Sequence, residues 1–404
     1  DRVWLITAQR LSTNNTLMLI AHKQNGNFYF KEIVKDAGME YNYNSENVYA
    51  TGQNLYKPND FTINNTIDQK RGGGSYGEYA TRGIFGRVNW DYAERYFLSG
   101  SYRRDASSRF HPDNRWGNFW SLGGGWLINH EPWFNASWVD MLKVKASVGS
   151  QGNDSIGNYL YTDLYSISNN EGQIAIAFGS KGNKEITWET NTNMNAGVDF
   201  DFLRGRVSGG IEYFYRKTSD MLFWFTTPTS FGWTGYYANV GDMMNQGVEV
   251  TLNGKIFDTR NFKWNLGLNL THYANEITYL HEDHKTKTAI DMNGNEYHGY
   301  NSGTAFRGEG LDVNSYYMPV YAGVYGENTY QLTGDATYDE TKGGKAMWYK
   351  AEYDKNNKWV KNVATTNYSE ATEYVQENTT PAFYGGFNTS LEWKGFDLGL
   401  DFSY

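Results

Sequence analysis

The chain has 404 residues, with 36 Lys and Arg against 45 Asp and Glu, a formal charge of −9. That balance leaves no basic excess for a phosphate-binding face and disfavours nucleic acid as a partner; the complete lack of cysteine disfavours a disulfide scaffold and excludes thiolate metal sites and a Cys nucleophile. Mean hydropathy is negative and no apolar run reaches about 18 residues, which excludes a membrane-spanning helix but not a barrel, whose strands average two unlike faces.

Period-two alternation of apolar and polar residues predicts about twelve strands. They lie near 3–10, 16–25, 79–92, 95–107, 117–129, 141–150, 188–202, 207–221, 244–256, 262–278, 382–394 and 396–404. In Leu142–Gly149 the even positions are Leu, Val, Ala and Val, and the odd ones are Lys, Lys, Ser and Gly. Met194, Ala196, Val198, Phe200 and Phe202 likewise oppose Asn195, Gly197, Asp199 and Asp201. Successive strand residues point to opposite faces, so each of these segments carries one apolar and one polar face. The even positions in 142–148, 194–202 and 264–270 are expected to face lipid, and the odd ones a wet lumen.

The connections between these strands are sorted by length. Short ones fall at Leu11–Asn15, 93–95, Asn135–Asp140, 203–206, Asp258–Asn261 and 394–395. Long ones fall near 26–78, 151–187, 222–243 and 279–381, and one connection on that side, His111–Trp116, is short. Aromatics gather at the short-turn ends, among them Trp90, Tyr92, Tyr96, Trp126, Trp133, Trp138, Phe202, Trp264 and Phe396. Rings at strand ends rather than strand middles suit a membrane–water interface. A soluble β-sandwich, the alternative, has no reason to sort its loops by end. The fold class is therefore all-β: an antiparallel transmembrane β-barrel, seen in part. Asp1 is followed by no leader pattern and the last alternating run reaches Tyr404, so the chain reads as a piece of a longer protein.

Several segments resemble one family. Phe85-Gly86-Arg87-Val88-Asn89-Trp90, Arg103–Phe110 with Asp113–Gly117, Leu142–Asn153, Asn239–Glu249, and Thr380–Gly386 with Trp393–Asp397 resemble, in order, motifs of SusC/RagA-like TonB-dependent outer-membrane transporters. Ala106 stands where that family usually has Gly. The resemblance covers roughly 80–404, and residues 1–78 match only loosely. It implies the C-terminal part of a barrel of about 22 strands around a plug, with the plug and the TonB-contacting segment outside this sequence. It further implies TonB-dependent import of an oligosaccharide or oligopeptide across the bacterial outer membrane. The implied partners are a SusD-like surface lipoprotein, TonB and lipid, and a dimer of transporter–lipoprotein pairs is compatible with it.

No catalytic constellation is found, and no cofactor or metal is implied. His281-Glu282-Asp283-His284 has tighter spacing than the i, i+4 pair of a zinc protease helix. Gly72-Gly73-Gly74-Ser75 lacks the Lys of a phosphate-cradling loop and reads as a flexible loop stretch. Asp354-Lys355-Asn356-Asn357-Lys358 reads as a solvated turn rather than a calcium loop. Trp224, Trp233, Tyr236 and Tyr237 are the candidate ligand or partner contacts, since flat rings stack on sugars and pack on peptides. The alternative role for those rings is anchoring at the membrane interface or loop packing. A passive porin and an outer-membrane barrel hydrolase are the rival functions; the hydrolase would need a Ser/His/acid set or a metal cluster.

Overall fold

The computed structural model describes the backbone of residues 2–11, 18–25, 28–55, 66–170, 173–376, 378 and 380–404, and side chains from residue 78 onward except 169–172, 225, 226, 229, 377 and 379. In chain order the strands begin with β1 (Arg2–Leu11), β2 (Met18–Asn25), β3 (Phe28–Leu55), β4 (Thr66–Tyr92), β5 (Tyr96–Ser107), β6 (Trp116–Leu127) and β7 (Val139–Asn153). The hairpin of β8 (Leu164–Asn170) and β9 (Gln173–Ser180) precedes β10 (Glu189–Phe202) and β11 (Val207–Ser219). A second hairpin, β12 (Leu222–Thr226) and β13 (Gly235–Asn239), precedes β14 (Gly241–Asp258) and β15 (Phe262–Leu280). Eight short strands follow: β16 (Lys287–Ile290), β17 (Glu296–Ser302), β18 (Ala305–Gly308), β19 (Tyr317–Pro319), β20 (Tyr321–Val324), β21 (Ala346–Tyr353), β22 (Trp359–Thr365) and β23 (Glu373–Val375). The last two are β24 (Phe383–Trp393) and β25 (Phe396–Ser403).

The main sheet has 13 strands in the order β1-β3-β4-β5-β6-β7-β10-β11-β14-β15-β24-β25, with β2 also paired to β3. Twelve of them coincide with the strands read from alternation. The thirteenth, β3, lies inside 26–78, which the sequence reading took as a connection. β3 runs 28 residues and β4 runs 27, well beyond the ~9–11 that cross a bilayer. Glu40–Asn47 holds no aliphatic residue, so the apolar alternation that marks a strand is missing there. Gly72-Gly73-Gly74-Ser75 is likewise ladder rather than flexible loop, opposite Ala50 to Asn47. The turn expected at Leu11–Asn15 falls, beyond Leu11, outside the described residues.

By contacts the chain divides into two compact units: residues 1–136, 143–194 and 222–239, and residues 137–142, 195–221 and 240–404. In the first unit the register aligns the apolar positions strand to strand. Leu122 lies between Gly100 and Val148, and Trp120 between Tyr102 and Ser150. Ile84, Val88, Leu98, Leu122, Val144 and Met194 all stand exposed. On the opposite face Ser101 and Ser121 share a hydrogen bond of 2.7 Å between their Oγ atoms. In the second unit Leu252, Leu268, Phe387 and Phe402 form one row, and all four are exposed. Its other face carries Asn265 Nδ2 donating to Ser390 Oγ at 3.1 Å and the Lys263–Glu392 pair at 3.0 Å. Each face thus keeps its chemistry along its row, which is the pattern of a lipid-facing wall with a wet inner side.

The short turns are built from left-handed residues. Ala93 and Glu94 have φ of 53° and 54°, and Lys394-Gly395 have 49° and 90°, the signature of turns whose twist matches a hairpin. At Leu203-Arg204-Gly205 the Asp140 carboxylate accepts the N–H groups of Arg204 at 2.5 Å and Gly205 at 3.2 Å. Rings stack at this end in the first unit: Trp90 on Tyr92, Tyr92 on Tyr96, and Tyr96 on Trp126, with centroids at 6.0, 6.3 and 6.3 Å. Glu131 ties the belt together, accepting from Tyr96 Oη at 2.5 Å, Trp126 Nε1 at 2.9 Å and Arg95 at 3.2 Å. The Tyr96 and Trp126 hydrogen bonds hold its carboxyl below the usual range, with Arg95 adding to them.

The buried apolar clusters lie at the other end. Phe110, Phe119, Ile186 and Trp188 form one in the first unit. Three more, centred on Phe306, Tyr374 and Met347, lie within 289–375 of the second. A soluble sandwich buries its strand middles; here the middles are exposed and the long connections are the packed parts.

Candidate functional site

The candidate site is the long-connection end of the first unit. Its base is the segment 183–188, whose backbone and side chains join two other connections. Asn114 Nδ2 donates to Lys184 O at 2.9 Å, and Thr187 Oγ1 donates to Asn114 O at 3.1 Å. Asn183 Nδ2 donates to Tyr237 O at 3.1 Å. Asn239 closes a two-way bond with Thr187, accepting its N–H at 3.0 Å and donating to its carbonyl at 3.1 Å. Trp188 is buried against Phe110 and Phe119, with centroids at 5.4 and 5.3 Å, and its Nε1 donates to Arg115 O at 2.8 Å. A Cβ at Gly117 or Gly152 would overlap the Phe119 ring, which gives both glycines a packing reason.

Beside this base sits a polar network. Asp154 accepts from Tyr79 Oη at 2.8 Å and from the buried Ser107 Oγ at 2.6 Å. Arg109 pairs with the same carboxylate at 3.6 Å, donates to Asp154 O at 2.8 Å and lies 4.2 Å from the Tyr79 ring centroid. These groups come from β4, the end of β5, the β5–β6 turn and the residue after β7. The sequence marked Arg103–Phe110 and Leu142–Asn153 as motifs but gave no sign that Arg109 and Asp154 meet.

The four aromatic candidates do not form one surface. Trp224 lies opposite Tyr237 across β12 and β13, and the rings meet edge-on at 5.3 Å and 77°. Tyr237 packs against the Phe110–Trp188 cluster, while Trp224 is 40% exposed. Trp233 stands in a separate patch with Phe231 at 6.0 Å and Phe178 of β9 at 6.1 Å. Its Nε1 is buried without a hydrogen-bond partner among the described residues. Tyr236 and Tyr237 are successive strand residues and so point to opposite sides. Parity within 235–239 was the available signal for that separation.

In the second unit the connection 279–381 is a packed assembly of three small sheets, β16-β17-β18, β19-β23 and β20-β21-β22. Asp335 accepts from Lys342 Nζ at 2.7 Å and Tyr325 Oη at 2.9 Å, and the lysine bond is the main reason its carboxyl lies below the usual range. Burial pushes the Tyr374 hydroxyl up to about 12. His281–His284 forms a single capped turn in which His281 Nδ1 accepts Asp283 N–H at 3.3 Å and Glu282 pairs with Lys285 at 2.8 Å. Asp354 Oδ1 accepts the N–H groups of Asn356 and Lys358, a local turn. Among the described residues no three His, Asp or Glu side chains gather as a metal site.

Comparison with known proteins adds four findings. The family model "TonB dependent receptor-like, beta-barrel" matches residues 4–299. The TonB-dependent receptor SusC of Bacteroides thetaiotaomicron is 33% identical over 328 residues, covering 72% of this chain and 32% of that protein. The TonB-dependent receptor P3 of Formosa agariphila is 27% identical over 325 residues, covering 79% and 31%. The chain therefore spans about a third of the length of these curated relatives. Among solved structures, the RagAB peptide importer in its closed-closed state superposes with a TM-score of 0.78 over 100% of this chain and 41% of that one, at 24% identity.

Proposed function

Because this chain belongs to the TonB-dependent receptor β-barrel family and is an outer-membrane β-barrel segment, we propose that it forms part of the wall and the outer loops of an energised nutrient importer. Lipid covers the apolar face, and the polar face borders the path of the cargo. The connections 151–187, 222–243 and 279–381 stand on the extracellular side, opposite the short turns. The cargo is an oligosaccharide or oligopeptide, TonB supplies the energy through a plug, and a SusD-like lipoprotein covers the loops. No bond is made or broken in the cargo. The relatives' names, SusC and a peptide importer, support this reading.

The observation that carries it is the built loop end: stitched segments and exposed rings on the side away from the short turns. A merely solvated loop gains little from the exposed rings of Trp224 and Phe231, whereas a partner surface uses such rings as anchors. The test replaces Trp224, Trp233 and Tyr236 by Ala in the whole receptor and keeps Tyr237, whose ring packs inward. Uptake of labelled oligosaccharide and oligopeptide at sub-saturating concentration, or retention of the lipoprotein, should fall about tenfold, and uptake should stop without TonB. Unchanged uptake and retention would make these rings loop packing or membrane anchors. Uptake that persists without TonB would make the protein a passive pore.

A further inference from the structure

A cavity of about 400 Å³ opens beside the Tyr79–Asp154 network in the first unit. Glu78 and Tyr79 of β4, Ser108 and Arg115 of the β5–β6 turn, and Tyr159 and Tyr161 beyond β7 line it. Arg115 is the last residue of that turn, immediately before β6. Its Nε is buried and has no hydrogen-bond partner among the described residues. The neighbouring arginines are committed elsewhere: Arg109 to Asp154, Arg104 over the Trp116 ring at 5.1 Å, and Arg103 to Asp105. A buried N–H donor left unsatisfied is costly, and an anion seated in the cavity would complete it.

The rings around it are fixed before any ligand arrives. Tyr79 is held by Asp154 and by the Arg109 guanidinium. Tyr159 Oη accepts the Glu78 N–H at 3.1 Å, and Tyr159 itself has a φ of 64°, a left-handed backbone that a non-glycine residue adopts at a cost. Tyr161 meets His111 edge-on at 5.9 Å and 75°. Ser108 Oγ accepts the Ala80 N–H at 2.9 Å, which orients its hydroxyl. The lining therefore offers a guanidinium with an unsatisfied Nε, ring faces, a hydroxyl and a carboxylate in one concave place.

We propose that this cavity is a subsite for an acidic pyranose unit of the cargo. The sugar's carboxylate pairs with Arg115, its ring face lies on the tyrosines, and its hydroxyls bond Glu78 and Ser108. The proposal rests on the importer reading and narrows the cargo to a uronate-bearing glycan. An acidic peptide would satisfy Arg115 but would leave Glu78 facing peptide carbonyls and carboxylates rather than hydroxyl donors.

The test uses the purified full-length receptor and calorimetry with three probes: tri-galacturonate, the neutral galactotriose of the same length, and tri-glutamate. Tri-galacturonate should bind best. Arg115→Met keeps the stem and removes the charge, so it should weaken tri-galacturonate at least tenfold and leave galactotriose unchanged. Arg115→Lys should restore part of the loss. Without ligand, Arg115→Met should melt no lower than the parent, because it removes an unpaired buried donor. Three results overturn the subsite: tri-galacturonate indifferent to Arg115→Met, tri-glutamate binding as tightly, or Arg115→Met melting several degrees lower, which would mark a structural arginine. Binding in vitro needs no TonB. Arg115-dependent binding without energised uptake would therefore sink the importer reading alone, and uptake without that binding would sink the subsite alone.

Discussion

Arginine at Leu122 should cost about 2–4 kcal/mol of folding free energy, while arginine at the adjacent Ser121 should cost far less. Leu122 is 48% exposed in the middle of β6. Trp120 and Trp126 flank it on the same face, the positions expected of rings at the two edges of an apolar band. Gly100 and Val148 lie on either side of it in the sheet, and neither offers a side-chain acceptor to a guanidinium. Ser121 points the other way, toward Ser101, where an arginine reaches water. Reversible urea unfolding of the full-length barrel in lipid vesicles measures both variants. Equal costs at 121 and 122 would mean that the two faces meet the same solvent.

Trp188→Ala should release the outer loops of the first unit and leave the strands in place. The indole is 8% exposed between Phe110 and Phe119, and its N–H is spent on the Arg115 carbonyl. Removing a ring of this size from a packed cluster costs about 3–5 kcal/mol. That energy is local, because the cluster lies beyond the strand middles and joins connections to the first residues of β6. Hydrogen exchange should therefore quicken in 107–116, 183–188 and 222–239 while β5, β6 and β7 keep their protection. Unchanged exchange in all three segments would show that the polar bonds of Asn114, Asn183, Thr187 and Asn239 hold the loops without the ring. Global loss of protection would show that the cluster is part of the barrel's own stability.

The strands were readable where both faces have different solvents. β5 and β15 match their sequence-read ranges within one or two residues because lipid on one side and water on the other impose strict alternation. β3 escaped for the converse reason: Glu40–Asn47 contains no aliphatic residue, so the apolar signal of period two vanishes while the ladder continues. The loop end was legible only as length and aromatic content. Trp224 and Tyr237 do meet, but Tyr237 packs inward and Trp233 sits in another patch. The contacts that organise the site are long-range polar ones, Arg109 to Asp154 and Thr187 to Asn239, each between residues that read locally as ordinary turn polarity. Arg115 was visible within a family-like motif. Its unpaired Nε became apparent only when the surrounding arginines were seen to be engaged.

The barrel reading is tested most directly by a spin-label scan of residues 118–126 in the full-length protein in vesicles. This chain contains no cysteine, so within it each introduced Cys is a single labelling site, and any Cys elsewhere in the full-length protein is replaced by Ser beforehand. Collision with dissolved oxygen, which concentrates in lipid, should peak at Trp120, Leu122 and Gly124. Collision with a water-soluble nickel chelate should peak at Ser121 and Gly123, in opposite phase with period two. Oxygen and nickel rising and falling together along β6, or the nickel reagent reaching Leu122 as readily as Ser121, would contradict a lipid-facing wall and with it the transmembrane barrel.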